Sequence, residues 1–531
     1  MKTQSLTLAC ALLLAGCALG PDYVKPKLEV PAAYKEGGSE EPSRADREQG
    51  APRAATEIVQ TVQRGSEHGA TQLSDGAAGF SRPPEDGRWK NAQPQDAVPR
   101  GDWWRIYQDP RLDQLMDTLN RQSPGIAQAE AQYRQAQALL KQAEAGLFPS
   151  LGLNAGQSRG VSSPGQATAT SYNLSANASW ELDLWGGLRR SVEAGNAKAE
   201  ASAAQLAAIR LSTQAQLATA YLQLSVADRQ LRQLSANEQA LADTLKLTRN
   251  QYQAGIVSDA NVAQAESQWQ SAQAQRADKQ LTRAQLEHAI AAALGQTPAS
   301  FSLAAADAEP RLPNIPAGLP SQLLERRPDI AAAERAVAQA NAEIGIAQAA
   351  FFPTLTLSAS GGYRGASFAD WVSLPNRVWS LGPALALSLF DGGLRSAQKE
   401  QAIASYDASV AGYRLAVLSA FQGVEDNLAA QKLLAEEAAS QQAAVDAALR
   451  AETITLNQYR AGTVSYLNLL TAQSSRINAE TTLWNVKNRQ YAGSVALIAA
   501  LGGGWQGLDP ASRQDHALNQ EAAPPQTKPG N

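Results

Sequence analysis

The chain carries much of its own sequence twice. Residues from about Ser123 to Leu294 recur, diverged, from about Arg327 to Leu501. Pro124-Gly-Ile-Ala matches Pro328-Asp-Ile-Ala, and Gly146-Leu-Phe-Pro-Ser-Leu matches Ala350-Phe-Phe-Pro-Thr-Leu. Trp185-Gly-Gly-Leu-Arg matches Asp391-Gly-Gly-Leu-Arg, Gln251-Tyr-Gln-Ala-Gly matches Gln458-Tyr-Arg-Ala-Gly, and Ala293-Leu-Gly matches Ala500-Leu-Gly. Five matches in one order, at an offset drifting only from about 204 to about 207 residues, imply a duplicated structural unit much longer than a solenoid repeat.

Each unit opens with an Ala- and Gln-rich helical run, about Ser123 to Leu147 in the first copy, which Phe148-Pro149 ends because proline removes a backbone donor. Two strands follow. Tyr172 to Trp185 alternates apolar even positions with polar odd ones, the period of a half-buried strand. Leu151, Leu153 and Ala155 form its partner, and copy two repeats the scheme with Leu355, Leu357, Ala359, then Leu381, Leu385, Leu387 and Leu389. The linking segments Gly156–Thr170 and Gly361–Val378, rich in Gly, Ser and Pro, read as hairpin loops. Strands of roughly ten residues suffice to cross a bilayer when tilted. Four strands cannot close a barrel, and open edges are not tolerated in lipid. If they span a membrane, several chains share one barrel: two chains give a filled barrel of eight strands, three give twelve and an aqueous lumen. A water-exposed sheet is the other reading of the strands alone.

Proline-free helices follow from about Leu188 to Gln253 and from about Leu394 to Arg460, each reaching roughly 100 Å. A turn at Ala254-Gly255 or Ala461-Gly462 returns the chain into a shorter helix, about Asp259 to Leu294 or Ser465 to Leu501, with glycine as the helix C-cap. The opening and returning helices together nearly match the long one, so they are expected to stack end to end beside it.

The N-terminus reads as a signal peptide over residues 1–16, with Lys2 before the short apolar run Leu6 to Ala15. Leu14-Ala-Gly-Cys17 looks like a bacterial lipobox, which would place diacylglycerol and an N-acyl chain on Cys17. Ala18, in place of an inner-membrane retention Asp, directs such a lipoprotein to the outer membrane. The second cysteine, Cys10, lies in the leader, so no disulfide or cysteine metal site is open to the mature chain. His68, His288 and His516 sit in unrelated contexts, and no metal or other cofactor is expected. A net charge of −4 argues against a nucleic-acid footprint. No phosphate-binding glycine loop or nucleophile elbow occurs, so an enzyme is not expected.

With these features in place, the chain resembles the outer-membrane efflux protein family, the TolC-like outer-membrane factors, and within it the lipoprotein branch serving tripartite RND pumps. The resemblance covers Cys17–Tyr34 and about Gly101–Gly503. It rests on Gly20-Pro-Asp-Tyr, Asp102-Trp-Trp-Arg-Ile-Tyr-Gln-Asp-Pro-Arg-Leu, Arg326-Arg-Pro-Asp-Ile, Phe352-Pro and Phe390-Asp-Gly-Gly. It implies a mixed α/β membrane protein: a homotrimer sharing a twelve-stranded β-barrel, four strands per chain, continuous with a hollow periplasmic α-helical barrel. It implies a lipid-anchored arm (17–35), an equatorial belt from 101–122 and the linker 301–327, and repeats over 123–300 and 328–503. A periplasmic adaptor would meet the helical tips, and an inner-membrane RND-type pump would supply the energy.

The resemblance also carries a gate onto the tips Tyr252–Asn261 and Tyr459–Thr471. Leu467 falls where related lipoproteins place a constricting leucine, and such a triplet would form a gate that dewets. Tyr459 and Tyr252 fall at the paired tyrosines of the two tips, where cross-helix hydrogen bonds would hold the closed state, and Tyr466 adjoins them. Asn468 and Thr471 occupy positions where the family often has acids, so a cation-selective ring is not carried over. Asp259 is the nearest tip acid, and its residue-level reading is a helix N-cap or first-turn acid. Gly255, Ile256, Gly462 and Thr463 match grooves where adaptor hairpins dock, and also read as plain helix caps. Segments 36–100 and 504–531, poor in apolar residues, are expected to be disordered. Two other readings remain: the duct of a type I protein secretion system, and a structural periplasmic coiled-coil lipoprotein, against which the strand alternation argues.

Overall fold

The computed structural model describes residues 20–26, 34–35, 102–161, 168–306, 309–313, 315 and 327–503. The leader, Cys17, the segment 36–100 and the tail 504–531 lie outside the described residues.

A short 3-10 turn, Trp103–Tyr107, leads into α1 (Pro110–Gln122), whose N-terminus Asp109 caps by accepting from Arg111 and Leu112 backbone N–H groups. Then come α2 (Pro124–Ala145), β1 (Ser150–Gly160), β2 (Ala169–Leu182), α3 (Gly187–Gln253) and α4 (Asp259–Ala293). The second half runs α5 (Pro328–Ala349), β3 (Thr354–Gly365), β4 (Arg377–Ala386), α6 (Leu394–Arg460) and α7 (Tyr466–Ala500). Corresponding helices have equal lengths: 22 residues in α2 and α5, 67 in α3 and α6, 35 in α4 and α7.

The strand limits differ from the sequence expectation. β1 continues to Gly160 and β2 starts at Ala169, while β3 reaches Gly365 and β4 starts at Arg377. Gly- and Ser-rich stretches read as loop are held in ladders by pairing across strands, which overrides their weak strand propensity. At the other end β2 stops at Leu182 instead of Trp185, and β4 at Ala386, before Leu387 and Leu389. Asp183 turns the chain out of the sheet because its carboxylate accepts from the N–H groups of Leu188 and Arg189, capping α3. Asp391 does the same for Gly393 and Arg395 at the head of α6, and the Arg395 guanidinium holds its carboxyl below the usual range.

The sheet is antiparallel in the order β1-β2-β3-β4. Its register puts Leu153, Ala176 and Gly361 in one row, Leu151, Ala178, Ala359 and Leu381 in the next, and Leu182, Leu355 and Leu385 in a third. Alternate positions, among them Asn154, Ser175, Ser179, Ser358 and Ser360, share the opposite face. One face of all four strands is thus apolar, and it lies open to the surroundings: Leu151, Leu381 and Leu385 are each at least 66% exposed. Aromatic side chains collect at both ends. Tyr172, Phe368 and Trp371 cluster by the hairpin tips, and Trp185 stacks on Phe352 where strands meet helices.

α3 packs against α2, α4, α5 and α7, and α6 packs against α5 and α7. Across the helical layer the order is therefore α2 with α4, then α3, then α5 with α7, then α6. The short helices do stack end to end beside the long ones. Gly295, after α4, lies so close to Gln122 O that an added Cβ would stand at 2.8 Å, and its φ of +74° suits only glycine without strain. At the equivalent joint Arg327 donates to Ala500 O at 3.0 Å. The main core gathers at these joints. Trp104, Tyr107, Leu112 and Met116 are buried there with Leu222 of α3, Leu294, Val424 of α6 and Val495 of α7.

The N-terminal arm lies along the helices. Gly20 presses on Gly345, Arg190 donates to Gly20 O and pairs with Asp22 at 3.0 Å, and Asn341 donates to Pro21 O. Further along, Lys25 pairs with Glu334, and Tyr34 is buried in the main core.

Candidate functional site at the helical tips

Far from the sheet, two helix–turn–helix tips end the layer. Each long helix closes in the same glycine cap. Gly255 (φ +73°) donates to Tyr252 O and Ile256 to Gln251 O. Gly462 (φ +72°) donates to Tyr459 O and Thr463 to Gln458 O. These paired bonds satisfy carbonyls the helix leaves orphaned and reverse the chain within five residues. The returning helices also start alike: the Ser258 hydroxyl donates to Asn261 Oδ1 and Ser465 to Asn468 Oδ1. Neither serine side chain accepts from the helix backbone, so the Ser-x-x-Asn spacing in both copies marks a side-chain clasp across the first turn, a signal that sequence reasoning passed over. Asp259 is the first residue of α4, exposed, a favourable place for a negative charge at a helix N-terminus.

A small apolar cluster separate from the main core ties the tips together. Leu245 of α3, Ala265 of α4, Tyr459 of α6, and Tyr466 and Leu469 of α7 are buried in it. The Tyr459 hydroxyl donates to Gln251 Oε1 at 2.6 Å and lies 3.1 Å from Thr248 Oγ1, so α6 is fastened to α3. Tyr252, the expected partner, faces away and is 47% exposed. Gln251 takes its place because adjacent helical residues point about 100° apart, and only one of the pair faces α6. Tyr466 packs against the Tyr459 ring at 5.8 Å, and burial, with the neighbouring Tyr459, pushes its phenol up to about 12.

The remaining tip residues lie outside the cluster. Leu467 is 60% exposed and Ile256 69%. Asn468 and Thr471 are exposed beside Leu467 on the first turns of α7, and the Thr471 hydroxyl bonds back to Leu467 O. Leu467 and Thr471, four apart, share a helix face turned away from the buried Tyr466 and Leu469. Gly255, Gly462 and Thr463 are exposed at the turns, and a Cβ on either glycine would meet nothing. One chain therefore presents an apolar side chain with an amide and a hydroxyl beside it, all neutral, on a face that it does not itself cover.

The Outer membrane efflux protein family model matches residues 115–296 and 319–503. The pyoverdine export outer membrane protein OpmQ of Pseudomonas putida is 32% identical over 453 residues, 81% of this chain and 93% of its own. The probable efflux pump outer membrane protein TtgC of the same organism is 29% identical over 535 residues, 98% and 99% of the two chains. Among solved structures, the outer-membrane channel OprN superposes with a TM-score of 0.76 at 28% identity, over 92% of this chain and 100% of that one. With the family model spanning both halves and a 32% identical relative matched along most of its length, the chain belongs to the outer membrane efflux protein family.

Proposed function

We propose that the protein is the outer-membrane exit duct of a tripartite efflux pump, a passive conduit that three copies form together. The observation carrying this reading is the register of the sheet. It turns a row of leucines from every strand to one uncovered face and polar side chains to the other, while β1 and β4 leave two open edges. That pattern suits a membrane barrel wall, with lipid on one side and water on the other. Three copies joined edge to edge make twelve strands, enough for an aqueous lumen. The helical layer has two open sides as well, α6 on one and α2 with α4 on the other, and the same three-fold closure pairs them. The described residues of 102–122 and 301–315, packed at the mid-height core, would then belong to a belt around it. The described arm begins at Gly20, beside the sheet ends of α3 and α5, where acyl chains on Cys17 would enter the inner leaflet of the outer membrane.

The tips form the periplasmic gate. Leu467 of three chains meets at the axis and closes the pore by excluding water. Asn468 and Thr471 line the constriction with neutral groups, with Asp259 nearby, and Tyr459, Tyr466 and Tyr252 belong to the helices that must part. Gly255, Ile256, Gly462 and Thr463 present the docking surface for a periplasmic adaptor that links the duct to an RND-type inner-membrane pump. The cargo is a small molecule toxic to the cell, as the antibiotic and toluene pumps named among the relatives suggest.

The test is conductance of the purified protein in a planar bilayer. Small conductance in the wild type and a clear rise with Leu467→Ser supports a gated channel closed at that residue. Equal, large conductance in both removes the gate assignment. No conductance from folded, inserted protein of either kind removes the channel itself.

A further inference from the structure

Above the gate, the seam joining α7 to α3 is polar where a helical layer of this length would ordinarily use leucine. Tyr466, Gln473, Glu480 and Lys487 recur at intervals of seven on α7 and so share one face. Arg476 lies between them and is 6% exposed. Its guanidinium donates to Glu452 of α6, to Glu480 at 2.7 Å and to Asn237 Oδ1 of α3 at 2.8 Å. One side chain thus binds three helices, and Asn237 is itself bonded to Glu480. Higher still, the Trp484 indole donates to Gln233 of α3.

Below Arg476 the seam is poorly satisfied. Gln473 reaches Thr244 only at 3.4 Å, and Gln473 Oε1 and Tyr466 Oη are buried with no hydrogen-bond partner among the described residues. The α6–α7 tip is therefore fixed firmly at Arg476 and loosely beneath it, down to the Tyr459 bonds. Leu467 stands nine residues below, about 14 Å along the helix.

We infer that Arg476 is a positioning residue of the gate, the fixed point that sets the register of α7 against α3 and α6 and so holds Leu467 on the pore axis. The inference rests on the gate reading above. A single buried polar residue at a helix–helix seam sets register because every shifted packing leaves it unpaired. Slipping would strip Glu452 of α6 and Asn237 of α3 of the guanidinium, leaving a buried carboxylate without its counter-charge, while the Arg476–Glu480 pair travels with α7.

The test compares three channels in planar bilayers: wild type, Leu467→Ser and Arg476→Met, each checked for trimer formation and melting temperature. Arg476→Met is expected to raise conductance at least threefold with Leu467 intact. Thr244→Cys and Gln473→Cys, added to Arg476→Met and joined by a short reducible thiol crosslinker, are expected to restore the small wild-type conductance, and reductant to raise it again. That reversal separates lost register from general loosening, which one bridge between α3 and α7 would leave leaky. If Arg476→Met fails to assemble, Arg476→Met with Glu452→Gln and Glu480→Gln replaces it, a seam of the same shape without charge. The inference is overturned if the assembled arginine variant conducts like wild type while Leu467→Ser opens, or if crosslinking leaves the leak unchanged. If Leu467→Ser also leaves conductance unchanged, the gate reading itself fails.

Discussion

The Tyr459 hydroxyl is bonded to Gln251 Oε1 across the α6–α3 contact, while Tyr252, at the same position in the other repeat, stands 47% exposed. Duplicated sequence has taken opposite roles on the two tips. One tyrosine faces a helix of its own chain. The other is free to face a neighbouring copy or water.

Tyr459→Phe removes that bond and leaves Gln251 short of a donor. If the tips are the gate and this arrangement is its closed state, the loss costs that state about 1–2 kcal/mol, a shift of roughly five- to thirtyfold in the balance between closed and open. Single-channel recordings should show a higher open probability at unchanged open conductance. An open probability equal to wild type would mean that the bond is made equally in both states.

Leu381→Lys places a charge on the apolar face of the sheet, in a row with Ala359 and Ala178. If that face meets lipid, the cost near the membrane midplane is about 2–4 kcal/mol per chain, repeated in every chain that a shared barrel would contain. Ser358→Lys, one residue away in the ladder but on the polar face, should be tolerated. Heat-modifiable gel mobility after refolding into lipid measures the trimer yield of each. Equal yields would argue against a lipid-facing leucine row.

Alkaline pH should weaken the helical layer. Burial pushes the phenols of Tyr107, Tyr413 and Tyr466 from 10.0 up to about 12. An unfolded tyrosine loses its proton near pH 10 while the folded one keeps it, so the unfolded chain binds fewer protons in that interval. The stabilisation is intact below about pH 10 and is lost as pH rises towards 12. Melting temperature should fall across this range, and the share of phenolate absorbance that comes from these three tyrosines should appear only with unfolding. Tyr466→Phe removes a buried hydroxyl that has no partner among the described residues, so it should be near neutral or stabilising at pH 7. It should also flatten the alkaline decline.

Local physics made much of the architecture legible before any coordinates. The apolar and polar alternation of Tyr172–Leu182 follows from the two-residue period of a strand, and the register then carries it across the sheet. The ends of α3 and α6 were readable at Gly255 and Gly462, because only glycine enters a positive φ there without strain. The strand ends next to the helices were misjudged because Asp183 acts five and six residues on, and Asp391 two and four, in chain already turning, where no periodicity survives.

By itself, the sequence determined the duplicated unit, the element order, the helix lengths and the two faces of each strand, all set by neighbours within a few residues. Only the tertiary structure decided which of Gln251 and Tyr252 receives Tyr459, and that Arg476 joins Asn237, Glu452 and Glu480. Those partners lie as far as 239 residues apart along the chain. Their meeting depends on how α3 is rotated between α4 and α7. That rotation is fixed by packing along the whole length of the helices, and no local window of sequence contains it.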